Sequence, residues 1–589
     1  MLPLPFFDHV YVIDFEFIAK PSEHPIPVCV VSHEINSGET KRLWLFEESN
    51  PQPPYSISEN DLFVAHMSSV EWGCHLVLNW PLPFNVIDTF VEYRCFTNHS
   101  YERRGTSLLD ACKAFGIDTI SKVEKDAARD LILAGAPYSK EDQEYIMRYC
   151  ESDVLETAEL FKRILTVPDF DIPTYLYRGE YMKSVAEIEY NGIPIDTDLL
   201  NELQENWEKI KFKLIKNIDK FGIYEVTSFK VNNFERFIQV NNWMWPRTET
   251  GLPKTDKETF KEMAEIHPEI GSLKELKALI GGLNFKSIIA GSDGRSRTLI
   301  SPSWTKTGRN APKDDEEKKN RVELRVRFMF GLPACLRSLL KPTERKVLTY
   351  IYYAQQEFFI AAVLSKDPNM IEAYQSGDPY LAFAKLAGAV PADATKETHG
   401  SERQLFKSCV LGVHYGLGAE SLGFKIGKPT PYAKELLSNH KRVFKSYWRW
   451  VDMTWTQACL MKRIETCYKW KMIVSGSSNK EMLTVRNFPI QATGAEILRV
   501  ACILLSENNI KIVAPVHDAV MIECDEKVAD KEIEIARKLM CDASEIVLGA
   551  GNRLKTDVDI VRYTGRYVEE KGAETWNLIM RILTEVKQE

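Results

Sequence analysis

One segment, residues 403–416, repeats a four-residue pattern that predicts a helix. Arg403, Lys407, Leu411 and Tyr415 stand four apart, and in an α-helix this spacing places side chains on successive turns of one slowly rotating face. Two cations followed by an apolar and an aromatic group suit a ligand that is anionic at one end and planar at the other, such as a nucleoside triphosphate. A partly solvated helix with two ordinary surface cations is the alternative, and the segment alone does not decide between them.

Size and composition predict a large globular protein. The chain has 589 residues, of which 44% are hydrophobic and 11% aromatic, enough for roughly three or four domains. No apolar run is long enough to span a membrane and the N-terminus does not look like a secretory signal, so we expect a cytoplasmic protein without membrane contact. The 12 cysteines include no Cys-x-x-Cys pair, which disfavours a structural zinc site or a disulfide framework.

The formal net charge of -8 disfavours a protein that binds polyanions over its whole surface. Local basic segments remain open, such as residues 313–327, which mix lysines and arginines with acids. A solvated face or a mobile loop is at least as good an explanation of that segment as a nucleic-acid contact.

The pattern of apolar residues divides the chain into regions of different type. Residues 9–18 predict a strand, and alternating strands and helices continue to a helix at 141–165, which indicates an α/β domain. After a Pro-bounded break at 168–173, residues 175–290 are mostly helical. Strands are then predicted at 299–304 and 347–353, long helices over 356–471, and a strand-turn-strand at 510–524 with two helices behind it.

Carboxylates in the first domain suggest a metal-dependent hydrolase. Asp14 and Glu16 share one face of the predicted strand, and Tyr149 and Asp153 share one face of a helix. A two-metal phosphodiester hydrolase needs several carboxylates around ions about 4 Å apart and a group that orients the attacking water. An edge strand with a polar face is the ordinary alternative for the Asp-x-Glu pair alone.

This set resembles the 3′-to-5′ proofreading exonucleases of the DEDDy class. The first motif of that class matches Asp14 and Glu16, and its Tyr-x-x-x-Asp motif matches Tyr149 and Asp153. The middle motif aligns Glu71 where an Asp is usual, and Asp88 is the rival candidate. The resemblance implies two metal ions held by Asp14, Glu16, Glu71 and Asp153, with Tyr149 orienting the attacking water.

The segment at 403–416 resembles the fingers helix of family A DNA polymerases, Arg-x3-Lys-x3-Phe-Gly-x2-Tyr-Gly, and departs from it at Leu411. The resemblance implies that Arg403 and Lys407 grip the triphosphate of the incoming nucleotide and that Tyr415 packs by the templating base. Leu411 would keep an apolar contact but lose ring stacking.

Further polymerase motifs occur in the expected order along nearly the whole chain. Residues 515–520 match the hairpin motif in which an Asp, here Asp518, binds metal, and residues 351–358 match the motif in which Gln355 and Glu357 face the nucleotide, Glu357 blocking a ribose 2′-hydroxyl. The family's contacts to primer, template and minor groove map onto further polar residues, namely Arg309, Arg337, Asn487, Gln491 and His517.

Two departures affect the polymerase metal site. The family's first metal-binding Asp aligns with Tyr352, and a second carboxylate aligns with Ala519. Nucleotidyl transfer requires two Mg²⁺ ions held by at least two carboxylates, and a phenol with a pKa of about 10 is neutral at pH 7. We therefore expect polymerisation to be impaired by several powers of ten, whether Tyr352 is natural or introduced.

The resemblance implies a multidomain fold of α/β and α+β type, in which an RNase H-like exonuclease domain precedes a right-hand polymerase. The expected divisions are exonuclease 1–170, thumb 175–295, palm 296–365 and 476–589, and fingers 366–475. The implied activity is template-directed DNA synthesis with proofreading by a compact, bacteriophage-type monomer in the host cytoplasm.

The implied cofactor is Mg²⁺, two ions per active site, with Mn²⁺ as a substitute. The implied partners are primer-template DNA, dNTPs and replication accessory proteins. A DNA-binding 3′-to-5′ exonuclease with an inactive polymerase half is the alternative function. The preference between adenine and 2-aminoadenine, which some polymerases of this kind copy, stays open.

Overall fold

A computed structural model describes residues 4, 6–100, 105–283, 285, 288–312, 326–414 and 416–588. Tyr415 and most of the basic segment 313–327 lie outside the described residues.

The N-terminal region contains a five-stranded mixed sheet flanked by helices. The strand order is β3-β2-β1-β4-β5. Strand β2 pairs antiparallel with both β1 and β3, and β4 pairs parallel with both β1 and β5. The strands are β1 (His9–Ile18), β2 (Ile26–Glu34), β3 (Thr40–Trp44), β4 (Asp61–Ala65) and β5 (Asn85–Asp88), and the helices are α1 (Ser69–Val77), α2 (Thr89–Thr97), α3 (Leu108–Ala114), α4 (Lys122–Ala134) and α5 (Lys140–Ile164). The predicted strand at 9–18 and the predicted long helix are thus confirmed.

Side chains alternate across β1, so the strand joins two cores. Val10 and Val12 pack into the core beneath α5, whereas Ile13 and Phe15 pack with Trp72 of α1 on the other face. Asp14 and Glu16 therefore point to the α5 side. A capping box between Ser139 and Asp142 starts α5, which runs across this face.

A helical region follows. Its elements are α6 (Ile172–Asn191), β6 (Ile193–Pro194), α7 (Thr197–Glu205), α8 (Trp207–Ile218), β7 (Tyr224–Glu225), β8 (Ser228–Phe229), α9 (Val231–Val240), α10 (Lys257–Ile266), α11 (Gly271–Gly282) and β9 (Arg295–Ser296), which pairs with β6. The predicted strand at 299–304 is wrong: Ser301 and Ser303 have φ values of 47° and 56°, which an extended strand excludes.

A four-stranded antiparallel sheet with order β13-β14-β10-β15 supports the C-terminal region. Its strands and helices are, in chain order, β10 (Lys346–Tyr353), α12 (Gln356–Ser365), α13 (Pro368–Gln375), α14 (Pro379–Leu386), α15 (Gly400–His414), α16 (Ala419–Lys425), α17 (Thr430–Val443), α18 (Lys445–Met461), β11 (Arg463–Glu465), β12 (Lys471–Ile473), α19 (Asn479–Glu507), β13 (Ile512–Val516), β14 (Ala519–Asp525), α20 (Ala529–Leu548), β15 (Thr556–Arg562) and α21 (Glu570–Gln588). The predicted run of helices to residue 471 ends earlier, because β11 and β12 form a hairpin.

Helix α19 is, among the described residues, the one helix long and apolar enough to cross a membrane by length and composition. Most of its apolar window, 78%, is buried inside the protein. A buried core helix can meet the same criterion of length and composition.

The N-terminal region and the C-terminal region share a buried junction. Phe90 and Val91 of α2 pack in one hydrophobic cluster with Trp470 and Met472 from the β11–β12 hairpin. At the same junction Arg178 of α6 makes a two-pronged ion pair with Glu92 of α2, at 2.7 Å and 2.5 Å, and donates to the Tyr468 carbonyl at 2.9 Å.

Two candidate active sites

The first site lies between β1 and α5 and collects the predicted carboxylates. Asp14 and Glu16 come from β1, Tyr149 and Asp153 from one face of α5, and Glu71 from the first turn of α1. Ligand atoms of Asp14, Glu16 and Cys150 lie within 4.8 Å of one another. Burial, followed by the negative charges of Glu16 and Asp153, raises the pKa of the Tyr149 phenol.

Glu71 and Asp88 differ in what their carboxylates do. One Glu71 oxygen accepts the Phe15 N–H at 2.8 Å, and its pKa is raised by burial and then by the charge of Asp14. Both Asp88 oxygens are committed to local structure: one accepts the Val91 N–H at 3.0 Å and caps α2, and the other accepts the N–H and hydroxyl of Ser68 at 2.6 Å and 2.7 Å. Glu71 is therefore the acid that belongs with the cluster.

The cluster carries more negative charge than its surroundings balance. Burial and then the charge of Asp153 raise the pKa of Asp14 to about 8, and burial and then the charge of Asp14 raise the pKa of Glu16. A divalent cation would relieve this repulsion, and carboxylate oxygens are the ligands that Mg²⁺ and Mn²⁺ prefer. These residues therefore fit such an ion.

Two neighbours of the cluster were not predicted from the sequence. Lys125 of α4 places its Nζ 2.5 Å from Asp153 Oδ1 and 2.8 Å from Glu156 Oε2. The Cys150 thiol lies 3.2 Å from the Asp14 carbonyl oxygen and 3.4 Å from Asp14 Oδ2. The local sequence does not identify either residue as part of a site, because lysines on solvent-exposed helices and single cysteines in helices are both common.

The second site lies at the turn between β13 and β14. His517 and Asp518 form this turn, with His517 at a φ of 45°, and the Asp518 carbonyl accepts the Tyr353 N–H at 3.0 Å. In the sheet Tyr352 pairs with Ala519 on one side and with Asp557 on the other. The predicted strand-turn-strand is confirmed, and it brings Asp518 beside the strand that carries Tyr352.

The residues at this turn do not fit a two-ion clamp. Of the positions that the family resemblance assigns to metal carboxylates, Asp518 is acidic, whereas Tyr352 and Ala519 are not. Burial, followed by the charges of Asp559 and Asp557, raises the pKa of the Tyr352 phenol, so the phenol is neutral at pH 7. Asp557 and Asp559 share the sheet face of Tyr352 but are exposed, and the sequence did not single them out.

Several predicted DNA-binding side chains gather next to this turn. Arg309 donates to Glu357 at 3.2 Å. Burial lowers the pKa of His517 and raises the pKa of Asp518, and on both residues the charge of Arg309 lowers the pKa while the charge of Glu357 raises it. A cavity of about 220 Å³ beside them is lined by residues that include Arg309, Arg327 and His517.

The loop that carries Arg309 requires a glycine. Gly308 has a φ of 74°, its carbonyl accepts from Arg499 at 2.6 Å, and a Cβ there would stand 3.0 Å from the Trp470 indole nitrogen. This close approach of the backbone to buried side chains aims Arg309 at the turn.

Other predicted contacts are less fully placed. Arg337 pairs with Glu569 and donates to the Phe330 carbonyl at 2.6 Å. On α19, Asn487 and Gln491 are half-buried, and Asn487 Oδ1 has no hydrogen-bond partner among the described residues.

The two cations predicted to bind the triphosphate, Arg403 and Lys407, both contact the ring of Tyr380. Arg403 and Lys407 of α15 stand over Tyr380 of α14, at 5.5 Å and 5.8 Å from the ring centre, and Arg403 also pairs with Asp378. Tyr380 is a neighbour that sequence reasoning missed, since it lies over twenty residues away on another helix.

The remaining members of this group are placed by backbone geometry. Leu411 is half-buried on α15, and Gln355 precedes α12 in a left-handed conformation with a φ of 47°. Gly416 has a φ of 70°, and a Cβ there would lie 2.4 Å from a Leu483 methyl group on α19.

Comparison with known proteins gives consistent matches. A family model described as DNA polymerase family A matches residues 197–562. DNA polymerase I of Aquifex aeolicus (strain VF5) is 25% identical over 429 residues, which cover 68% of this chain and 69% of that protein. DNA polymerase I of Pseudomonas aeruginosa is 24% identical over 488 residues, 78% of this chain and 51% of that protein.

The chain spans about half or less of other DNA polymerases I, such as that of Chloroflexus aurantiacus, where 44% is covered. Among solved structures, the POL domain of Pol1 from M. smegmatis, in complex with DNA primer-template and dNTP, aligns with a TM-score of 0.66 at 18% identity. The alignment covers 94% of this chain and 95% of that one, and at this identity the likeness concerns the fold.

Proposed function

Since the chain belongs to DNA polymerase family A, we propose that it is a DNA-directed DNA polymerase with a 3′-to-5′ proofreading exonuclease, working on primer-template DNA and dNTPs. The observation that carries the exonuclease half is the single cluster formed by Asp14, Glu16, Glu71, Asp153 and Tyr149. The strand order β3-β2-β1-β4-β5 supports an RNase H-like domain over residues 1–170.

In the exonuclease site the carboxylates of β1, α1 and α5 would hold Mg²⁺ or Mn²⁺. Such ions activate water and offset the charge of the phosphodiester under attack. Tyr149 lies beside Glu16 and Asp153 and keeps its proton, because burial and these charges raise its pKa. It is therefore suited to donate a hydrogen bond that positions the attacking water or the scissile phosphate.

In the polymerase half the domain divisions would be thumb 175–295, palm 296–365 and 476–589, and fingers 366–475. Arg403 and Lys407 lie on one helix face and would bind the triphosphate. Glu357, held by Arg309, would meet the sugar of the nucleotide, and Gln355, Leu411 and Tyr415 would complete that pocket.

Contacts to DNA would come from residues around the cavity and from α19. Arg309 and the turn residue His517 line the cavity, and after burial and the charge of Arg309, the charge of Arg337 also lowers the pKa of His517. Asn487 and Gln491 lie on α19. Their mixture of cationic and amide groups suits phosphate and base-edge contacts.

We further propose that nucleotidyl transfer by this chain is slow. Asp518 alone remains of the metal carboxylates, and Tyr352 adds bulk without charge. A loss of several powers of ten in rate is expected, since stabilisation of the charge on the transferring phosphoryl group is the main contribution to this chemistry.

Primer extension tests this proposal. Tyr352→Asp, made together with Asp14→Ala to remove excision, should raise the extension rate by several powers of ten over Asp14→Ala alone. Tyr432→Asp makes the same chemical change at an exposed tyrosine of α17; it is the matched control and should not restore synthesis. If the chain with Tyr352 extends primers as fast as Tyr352→Asp, the proposal is wrong.

A DNA-binding exonuclease with an inactive polymerase half is the second candidate, and Tyr352 with Ala519 favours it. In that case Asp14→Ala abolishes all catalysis, Tyr352→Asp adds none, and gel shifts still show primer-template binding.

The narrower parts of the proposal concern setting and substrate. We place the enzyme with compact, bacteriophage-type polymerases that act as monomers in the host cytoplasm alongside replication accessory proteins. Competition between dATP and its 2-amino analogue opposite thymine, run on the Tyr352→Asp, Asp14→Ala chain, measures which base is preferred.

A further inference from the structure

Among the residues that the structure describes, Lys125 is the cation that forms an ion pair with a carboxylate of the cluster. Its Nζ lies 2.5 Å from Asp153 Oδ1, and its side chain is 15% exposed. No other lysine or arginine of the described residues forms an ion pair with Asp14, Glu16, Glu71 or Asp153.

A second acid outside the cluster holds Lys125 in place. Glu156, one helical turn beyond Asp153, lies 2.8 Å from Nζ and is 7% exposed. Its other oxygen accepts the Ile120 N–H at 2.9 Å, which ties it to the chain segment leading into α4. If Lys125 swung out to solvent, Glu156 would remain as a buried, uncompensated charge, which is strongly unfavourable. Lys125 is therefore a fixed member of the site.

This arrangement takes one carboxylate oxygen away from metal binding. Asp153 Oδ1 is occupied by the ammonium group, so this oxygen is not free to bind an ion. An ion that used Asp153 Oδ1 would have to displace the ammonium group, so Lys125 competes with a metal ion for this oxygen.

We propose that Lys125 is a catalytic residue of the exonuclease site, where its ammonium group takes the place of a second metal ion and offsets charge on the scissile phosphate. This inference rests on the proposed exonuclease function.

The chemistry needs such a charge. In the hydrolysis the oxygen of water forms a bond to phosphorus, the bond from phosphorus to the 3′ oxygen of the preceding nucleotide breaks, and that oxygen receives a proton by way of solvent. Negative charge grows on the phosphoryl oxygens and on the leaving oxygen. A buried ammonium fixed beforehand stabilises that charge without having to reorganise.

Ion counting gives a readout that does not depend on activity. Mn²⁺ bound by the full chain is measured by electron paramagnetic resonance, and the count for Asp14→Ala is subtracted to isolate this site. We expect one ion in the unsubstituted protein and one more in Lys125→Met, because that change frees Asp153 Oδ1. Lys122→Met, an exposed position on the same helix, is the matched control and should leave the count unchanged.

Kinetics test the catalytic role directly. Excision of single-stranded DNA by Lys125→Met should show a kcat lower by about 10²-fold with an unchanged KM, partly recovered at high Mn²⁺, and Lys125→Arg should keep more activity than Lys125→Met. The double variant Lys125→Met, Glu156→Gln removes the cation together with the charge of Glu156, so that of the two partners of Lys125 only Asp153 keeps its charge. It should be more stable than Lys125→Met and show the same loss of kcat.

The outcomes separate the proposals. An unchanged kcat, higher activity at low Mg²⁺, or a lower melting temperature with no change in the ion count each overturn the role of Lys125. If the unsubstituted protein excises no nucleotide at all, the exonuclease function fails, while the ion count still decides whether Lys125 stands in for a metal ion.

Discussion

Replacing Glu92 by Gln should destabilise the protein strongly, because it leaves a buried guanidinium without its counter-charge. Arg178 is 4% exposed and Glu92 0%, and their two hydrogen bonds, at 2.7 Å and 2.5 Å, connect α6 to α2. Breaking a buried ion pair from one side costs about 3–5 kcal/mol. Two remaining partners of Arg178, the Tyr468 carbonyl at 2.9 Å and the Tyr175 ring at 5.0 Å, are neutral and do not replace the lost charge.

An exposed pair provides the comparison. Arg553 and Asp542 are also 2.5 Å apart, but their side chains are 44% and 29% exposed, and such pairs contribute about 0–1 kcal/mol. Asp542→Asn should therefore change the free energy of unfolding by less than about 1 kcal/mol, although the ion pair has the same length.

Guanidinium denaturation followed by circular dichroism measures both variants. The transition of Glu92→Gln should shift to clearly lower denaturant, and the double change Glu92→Met, Arg178→Met should recover much of the loss, because no isolated charge then remains. If Glu92→Gln loses no more than Asp542→Asn, burial does not govern the strength of these pairs, and the argument fails.

Three further predictions use simpler assays. Burial lowers the pKa of His440 to about 3, so as the pH falls below about 6.5 the unfolded chain binds the proton first. This histidine alone should lower the free energy of unfolding by about 2 kcal/mol between pH 7 and pH 5, and the loss over this pH range, followed as the urea midpoint, should be smaller by that amount in His440→Gln. Gly416→Ala should lower the melting temperature, chiefly because alanine is strained at a φ of 70°. The overlap of its Cβ with a Leu483 methyl group at 2.4 Å adds a smaller part, so Leu483→Ala in the same chain should restore only that part of the loss. Asp88→Asn should keep excision activity, since Asn still caps α2, whereas Glu71→Gln should lose most of it; equal losses would show that Asp88 also serves the chemistry.

The sequence predicted local elements well and long-range neighbours poorly. The alternation around Asp14 and Glu16 identified β1 and its polar face, because strand periodicity depends on adjacent residues. The strand predicted at 299–304 is wrong because two serines within it, Ser301 and Ser303, have positive φ values. The local sequence pattern does not predict these backbone angles. Lys125 stands 28 residues from Asp153, and Asp557 reaches Tyr352 only through pairing of β15 with β10, so no local pattern reports either neighbour.

The identity of several site residues could be predicted only by comparing whole motifs. His517 and Asp518 resemble an ordinary turn by themselves, and Arg403 and Lys407 resemble surface cations. Their contacts with Tyr380 and with the sheet depend on how distant segments fold together, which one segment does not encode.

The hydrophobic cluster that joins α2 to the β11–β12 hairpin has a practical consequence for dissecting this protein. Phe90 and Val91 belong to the same core as Trp470 and Met472, so a cut after residue 170 would expose apolar surface on both fragments. It would also leave Glu92 in one fragment and its partner Arg178 in the other. Fragments made this way would report on aggregation rather than on either chemistry. The two proposed activities are better tested by single substitutions in the intact chain, where the shared core keeps both halves folded.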